Sequence, residues 1–445
     1  MLMLILGLSA SRLLSASVDF PQPQQLAPAV DFWVGVYCEV DLDQTLLHDD
    51  RYLSVVYEVL DLKAAVSSAA RRALVQAAQL RWREMLHSLS AEPDRDGADQ
   101  RRAHAMLAHA LGRPPRAADF AAAAERLRVQ RGQRSRFIQG LQRAGRYEAR
   151  IRDILTIHEL PADLAYLPHV ESAFDSRAYS KVGAAGMWQF IPSTGRRYLR
   201  VDEVVDERLD PFRAAEAAAL LLKANHDALG SWPLALTAYN HGRAGMLRAR
   251  EAVGSDDLAL IIDRYQGRRF GFASRNFYAQ FLAARRIARE YQAYVGRLHR
   301  ARPLQVVEFE LPFYVEAHAL PDALGVAERT LRDLNLGLRP MVWKGQQRIP
   351  KGYMLRLPMN MNMTTSMTTN AAAGDHVASL LARIPAQARH TAQRARYRVH
   401  VVRRGESLNS VAARHNVDPA SIVRLNKIRN ANRIYPGQRL KLPAI

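Results

Sequence analysis

Leu160-Pro161-Ala162-Asp163-Leu164-Ala165-Tyr166-Leu167-Pro168-His169-Val170-Glu171-Ser172-Ala173-Phe174 is the stretch on which the reading of this chain turns. Proline is well placed at the start of a helix, so Pro161 predicts a helix running through this segment. Leu164, Leu167, Glu171 and Phe174 then follow at intervals of three, four and three, the spacing of one helical face. A carboxylate in an apolar stripe is costly unless it is neutral or paired. Burial raises a carboxyl pKa, which makes Glu171 a candidate proton donor near neutral pH. The plainer alternative puts Glu171 at the edge of the stripe, reaching solvent or an arginine.

Downstream, Ser180-Lys181-Val182-Gly183-Ala184-Ala185-Gly186-Met187-Trp188-Gln189-Phe190-Ile191-Pro192-Ser193-Thr194-Gly195 joins three glycines to an adjacent Trp-Gln pair. Glycine lets backbone approach a ligand closely. Trp188 offers an apolar face, and Gln189 an amide that both donates and accepts. A second cluster, Ser231-Trp232-Pro233-Leu234-Ala235-Leu236-Thr237-Ala238-Tyr239-Asn240-His241-Gly242, ends an apolar helix on an aromatic, an amide and a glycine. Sugars present apolar ring faces rimmed by hydroxyls, and such pairs of groups suit them.

Taken in order, Glu171-Ser172, Ser180, Gly186 to Gly195 and Ala238-Tyr239-Asn240-His241-Gly242 resemble the soluble-lytic-transglycosylase-type catalytic domain of lytic murein transglycosylases. The terminal unit, with Gly405-Glu406-Ser407-Leu408, Asn426 and Pro436-Gly437-Gln438-Arg439-Leu440, resembles a LysM peptidoglycan-binding module. Leu334-Asn335, Ile349-Pro350-Lys351-Gly352-Tyr353 and Leu355-Arg356-Leu357-Pro358 are similar to it in degenerate form, without the Gly-Glu-Ser-Leu turn. The resemblance covers residues 135–295 and 304–445.

It implies a multidomain, mainly α chain: an α-helical lysozyme-like catalytic domain followed by small α+β (strand-helix-helix-strand) LysM-type modules. It also implies that Glu171 is the single acid/base. Glu171 would protonate the glycosidic oxygen between N-acetylmuramic acid and N-acetylglucosamine. It would then take the proton of the muramyl 6-hydroxyl as the 1,6-anhydro ring closes. Ordinary glycosidases generally use a second carboxylate as nucleophile or to activate water; here the attacking hydroxyl belongs to the substrate, and proximity does that work. The resemblance assigns substrate binding to Ser180, Met187, Gln189, Tyr239, Asn240 and Tyr278, and glycan binding in the LysM module to Gly405, Glu406, Ser407 and Asn426. Asp175 and Asp210 are read as caps or ion-pair partners.

Residues 1–20 hold an apolar run too short to span a bilayer, with the outline of a cleavable signal but without the usual leading bases. Residues 31–134 are rich in helix formers and predict a helical region, with helices over Ala64–Leu89 and Ala117–Gln130. Residues 135–295 form the catalytic domain, 304–358 the degenerate module, 359–396 a linker and 397–445 the LysM module. The linker is read from its Met-Asn-Thr low-complexity start, which is followed by a basic, Ala-rich stretch with helical character.

With 445 residues, 48% hydrophobic and 24% charged, the composition is that of a globular chain of several domains. The single cysteine, Cys38, excludes an intrachain disulfide. His158-Glu159 opens like a zinc-helix motif, but the second histidine would fall at Ala162, so no metal and no cofactor are expected. The net charge of +20 favours a polyanionic partner. Peptidoglycan, rich in carboxylates, satisfies that; nucleic acid is not expected, because no recognition helix or aromatic strand platform is evident. The expected setting is the periplasm or cell envelope, with at most peripheral membrane association, and the expected state is a monomer. A lysozyme-like hydrolase and a non-catalytic wall-binding protein remain the competing readings.

Overall fold

The computed structural model describes residues 19–93, 97–359, 370–394 and 397–443, with the side chains of 370–374, 397 and 398 outside the description. Nearly all of the signal-like segment, and the low-complexity run 360–369, lie outside the described residues. The chain divides into two units: residues up to Asp202 with Asp206–Leu304, and Glu203–Val205 with the residues from Gln305 onward.

The first unit opens with α1 (Ala27–Cys38), whose proline in the first turn suits a helix start. Val30, Phe32, Trp33, Val36 and Tyr37 are buried, as is Cys38. A three-stranded antiparallel sheet follows, with β1 (Gln44–Asp49) between β2 (Val56–Asp61) and β3 (Leu127–Arg131). It packs on α2 (Ser68–Ala91), α3 (Ala98–Leu111) and α4 (Ala117–Glu125) around Leu47, Tyr57, Trp82, Leu86, Leu107 and Phe120. The wholly helical expectation for residues 31–134 is thus corrected. Val56-Tyr57-Glu58-Val59, rich in β-branched and aromatic residues, and the alternating Leu127-Arg128-Val129 settle as strands because pairing with β1 outweighs the helix propensity of their neighbours. The expected helix over Ala117–Gln130 stops at Glu125 for this reason.

The rest of the unit is helical: α5 (Arg134–Ala144), α6 (Glu148–Ile157), α7 (Leu167–Glu171), α8 (Pro192–Gly195), α9 (Pro211–Leu229), α10 (Trp232–His241), α11 (Arg243–Val253), α12 (Leu258–Arg264), α13 (Phe272–Arg289) and α14 (Tyr291–Val295). Helix α13 is the hub, packed against α1, α7 and α10. Its Ala279, Ala283 and Ala284 are buried and small enough for close helix approach, while Phe277 and Phe281 fill the space between. Each such phenylalanine contributes about 2–3 kcal/mol by leaving water. Trp33 donates its indole N–H to Asn276 Oδ1 at 3.3 Å, and Tyr278 donates its hydroxyl to the Pro21 carbonyl at 2.7 Å. Residues 20–38 therefore share one core with the helices after residue 134, and the sequence boundary at 134/135 does not divide the cores.

The second unit contains β4 (Val306–Glu310), β5 (Tyr314–Val315), α15 (Leu320–Leu324), α16 (Glu328–Leu334), α17 (Pro340–Trp343), β6 (Met354–Pro358), α18 (Asn370–Arg383), β7 (Arg389–His390), β8 (Tyr397–Val401), α19 (Leu408–Arg414), α20 (Pro419–Asn426) and β9 (Arg439–Pro443). Strand β4 pairs with β6, and β8 with β9, both antiparallel. The strand-helix-helix-strand order read for 397–445 is present, closed around Leu408, Val411, Ile422, Leu440 and Leu442. The linker reading of 359–396 is corrected over 370–394. Leu380, Ile384 and Ala388 are buried with Val315 and Leu320 in one core, and β7 pairs with β5. The basic, Ala-rich composition disguised this, because the larger apolar side chains that meet the core from α18 are only Val377, Leu380 and Leu381.

Candidate active site

Glu171 is the last residue of α7. A 3-10 turn over Ala162–Tyr166 precedes it, so the continuous helix expected from Leu164 to Phe174 is broken into two pieces. Pro168 accounts for the break, since it has no N–H to donate to the turn before. The apolar stripe survives the break: Leu164, Leu167 and Phe174 are fully buried and Glu171 is half-buried among them.

The chain leaves α7 through Ala173 (φ 53°) and Phe174 (φ 58°), two consecutive non-glycine residues in the left-handed region. That conformation costs about 1–2 kcal/mol per residue. The Phe174 N–H donates to the Pro168 carbonyl at 3.1 Å, and Arg143 clamps the Ala173 carbonyl from Nε at 3.0 Å and Nη2 at 2.7 Å. Gly140 on α5 lets this turn approach, because a Cβ there would lie 3.0 Å from that of Ala173. Strain held this firmly is characteristic of sites where a side chain must be aimed.

Ser172 ties the catalytic turn to the glycine-rich loop, donating its hydroxyl to the Met187 carbonyl at 2.8 Å. Within that loop Gly186 (φ 79°) passes so close to Arg208 that a Cβ would sit 1.7 Å from its carbonyl oxygen. Gln189 (φ 50°) folds back, its amide donating to the Gly186 carbonyl at 2.8 Å. Arg208, almost completely buried, pairs with Asp206 through Nε (2.8 Å) and Nη2 (2.9 Å). Its Nη1 donates to the carbonyls of Gly183 (2.8 Å) and Phe190 (3.0 Å), pinning both ends of the loop. From α10, Tyr239 donates its hydroxyl to the Trp188 carbonyl at 2.8 Å.

The electrostatics single out one group. The Glu171 carboxyl pKa is pushed up to about 8, with burial as the cause. Tyr239 is raised well above the usual phenol value by burial and then by Glu171, and Tyr37 is raised by burial with a smaller contribution from Glu171. Glu171, Tyr239 and Tyr37 thus share one local field. His169, two residues before Glu171, is buried against Phe137 and Phe174 and held neutral, its pKa lowered by burial to about 3.

Of the residues assigned by resemblance, Glu171, Met187, Gln189 and Tyr239 are brought together, with the exposed Asn240 beside Tyr239. Met187 is fully buried and serves as wall. Ser180 caps its own turn, its Oγ accepting from the Ala184 N–H at 2.9 Å. The expectation for Tyr278 is corrected: it is 1% exposed and its hydroxyl is spent on Pro21, so it fixes α13 to the N-terminal segment. In the terminal module the expected glycan ligands are engaged in building the module. Glu406 accepts from the Arg403 N–H and pairs with His400 and Arg414. Ser407 caps α19, Asn426 bridges α20 to β9, and Gly405 takes φ 83°. Asp210 caps α9, as read from the sequence, while Asp175 accepts from the Arg177 N–H within a turn. Tyr37, Arg143, Asp206 and Arg208 were not anticipated. Asp206 and Arg208, opposite charges two positions apart, offered a faint signal; Tyr37 lies in a region outside any motif.

Residues 156–262 match the Transglycosylase SLT domain and residues 400–443 match the LysM domain, so the chain carries these two domains in that order. Among individual proteins, it is 28% identical over 297 residues to membrane-bound lytic murein transglycosylase D from two strains of Escherichia coli. That similarity covers 64% of this chain and 60% of each relative's length. Among solved structures, an inactive mutant of lytic transglycosylase Slt from Pseudomonas aeruginosa aligns at 17% identity and a TM-score of 0.29, over 53% of this chain and 37% of that one. Among the described residues no helix is long and apolar enough to cross a membrane.

Proposed function

We propose that the chain is a peptidoglycan lytic transglycosylase, with Glu171 as its sole acid/base and a 1,6-anhydromuramyl end as its product. The observation that carries this is the Glu171 carboxyl itself, in the SLT-matched segment, held protonated to about pH 8 by burial, with no charged group among the described residues contributing to the shift. A hydrolase would need a second carboxylate to activate water. A transglycosylase needs only a proton donor that becomes a proton acceptor, and a carboxyl titrating near the working pH serves both steps. Gln189 and Asn240 supply amide groups, and Tyr239 a hydroxyl, at the positions where sugar hydroxyls and the developing oxocarbenium charge would be met. The LysM domain would hold the enzyme on its polymer, and the site of action would be the cell envelope, with the chain working as a monomer.

Replacement of Glu171 by Gln tests the assignment. The amide cannot protonate the leaving oxygen, so turnover on purified sacculi is expected to fall by a factor of at least about 1,000 while retention on sacculi persists. Mass analysis of the wild-type products should show muropeptides lighter by one water than hydrolytic ones. Products of hydrolytic mass, or near-normal cleavage by the variant, would sink the reading. Deleting the residues after 394 should weaken retention on sacculi and spare cleavage of soluble glycan. A cut at Pro358 would confuse that test, because it removes α18 and β7 from the core of the second unit.

A further inference from the structure

A cavity of the first unit lies apart from Glu171, which is not among its lining residues. Its volume is about 760 Å³, and it opens between the β1–β2 connection, the end of α12 and the start of α13. Two ion pairs cross it: Arg51 to Asp263 at 2.7 Å, and Asp50 to Arg275 at 3.2 Å. Tyr52 and Phe270 contribute aromatic wall, and the guanidiniums of Arg51 and Arg126 lie over the Tyr52 ring at 5.8 and 5.2 Å. Arg126 is committed to the buried Asp49, but the Arg51–Asp263 pair is about half exposed on both sides. Exposed pairs of this kind add little to stability, so a ligand bearing its own charges can replace them at small cost. Arg275 also has a buried Nε–H without an acceptor.

The cavity is linked to the site around Glu171. Ser274, next to Arg275 on α13, donates to Asn240 Oδ1 at 3.1 Å and lies 3.2 Å from His241 Nδ1. Asn240 directly follows Tyr239, whose phenol senses Glu171.

We infer that this cavity is a subsite for a short peptide carrying both free carboxylate and free amino groups, the chemistry of the stems attached to the muramyl sugars. The inference rests on the proposed function for its substrate class. A neutral sugar would draw nothing from the two acids and two bases at the rim beyond the pairs they already make with each other. A zwitterionic peptide answers both signs with charge-assisted bonds, and the volume lies in the range of small-ligand pockets. The N-terminal sheet region thereby acquires a role, since Asp50, Arg51 and Tyr52 come from it.

The test uses the full chain and two substrates: glycan strands bearing their peptides, and the same strands stripped of peptide by an amidase. Arg51→Ala, on the rim, and Arg51→Ala with Arg275→Gln should raise KM on peptide-bearing strands about tenfold in the double variant, with kcat unchanged and stripped strands cleaved as before. Calorimetric titration with a free stem tetrapeptide should show binding to the wild type that the double variant loses. Equal loss on both substrates, or no loss on either, overturns the subsite, as does absence of tetrapeptide binding. If the wild type cleaves neither substrate yet binds the tetrapeptide in an Arg51-dependent way, the proposed activity fails and the subsite stands.

Discussion

Asn335 and Asn426 make the same three hydrogen bonds in two parts of the second unit, yet one is fully buried and the other half exposed. Asn335 donates to the carbonyls of Leu331 (2.8 Å) and Arg356 (2.9 Å) and accepts from the Arg356 N–H at 2.9 Å. Asn426 donates to Ile422 (2.8 Å) and Lys441 (2.7 Å) and accepts from the Lys441 N–H at 2.8 Å. The likeness continues at the strand entries. The N–H groups of Gly352 (φ 81°) and Gly437 (φ 88°) each donate at 2.8 Å, to Leu311 and Val402 respectively. Leu311 and Val402 in turn donate to the carbonyls of Tyr353 (3.0 Å) and Gln438 (2.9 Å).

What differs is the side chains. Phe309 lies in the core of the first module where the terminal one has His400, bonded to Glu406 at 2.7 Å and to His415 at 3.1 Å. On the outer sheet face, Glu308 and Arg356 form an ion pair with Arg356 2% exposed, whereas Val399 is 45% exposed opposite a solvent-facing Lys441. Backbone-to-amide clamps can therefore preserve a module while its faces are re-purposed, one absorbed into a larger core and the other left standing in water.

The sharpest way to break this comparison is to remove the clamps. Asn335→Ala strips partners from the Arg356 N–H and C=O in a site closed to solvent, and each such loss costs about 1–3 kcal/mol. The expected destabilisation is about 3–5 kcal/mol, read as early loss of hydrogen-exchange protection in β6. Asn426→Ala lets water replace the lost partners and should cost about 1 kcal/mol, read in β9. Equal costs would show that the two asparagines do not differ in environment as described. Next in size is exchange of the core residues. Phe309→His puts an imidazole among apolar neighbours without the partners His400 enjoys, and about 3 kcal/mol should be lost from the first unfolding step. His400→Phe should cost about 1–2 kcal/mol, because Glu406 keeps Arg414 and the Arg403 N–H.

How far the sequence reveals this depends on whether its signals are local. The terminal module is legible because its turns announce themselves: Gly405 before the Ser407 cap, Asp418-Pro419, and Pro436-Gly437. Leu334-Asn335 and Lys351-Gly352 were enough to suggest its earlier relative, though Phe309 and Arg356 gave no hint of their surroundings. Glu171 is legible for the same reason, since an acid in an apolar stripe is a local anomaly. Within residues 44–131 the strand hardest to read is β3, because it reaches β1 only after three intervening helices and its short alternation closes a helix-forming run. Tyr278 was misplaced because its partner, Pro21, is 257 residues away in sequence. Arg143 and Arg208 looked like two more surface arginines in a chain full of them, and only the fold shows the carbonyls they hold.

The smallest expected difference between the modules is their response to acid. The Glu406 carboxyl is held down to about 2 by the Arg403 N–H, then His400, then Arg414. A carboxylate whose pKa is lower folded than unfolded contributes stability above its unfolded value, near 4.5, and loses that contribution as pH falls toward 2. The β4–β6 module lacks the Gly-Glu-Ser-Leu turn, and its own depressed carboxyl, Glu316, is paired instead with Arg394, His318 and His390. Between pH 5 and 2.5 the hydrogen-exchange protection of β9 should therefore fall relative to pH 7 in the wild type, and Glu406→Gln should shrink that fall to the part owed to the depressed Asp418 carboxyl, while lowering stability at pH 7. The carboxylate is surrounded by solvent-reachable partners, so the change will be modest. If the Gln variant keeps the acid sensitivity, the His400–Glu406 contact is not what sets the terminal module apart, and the outer face with Val399 and Lys441 becomes the remaining physical difference to examine.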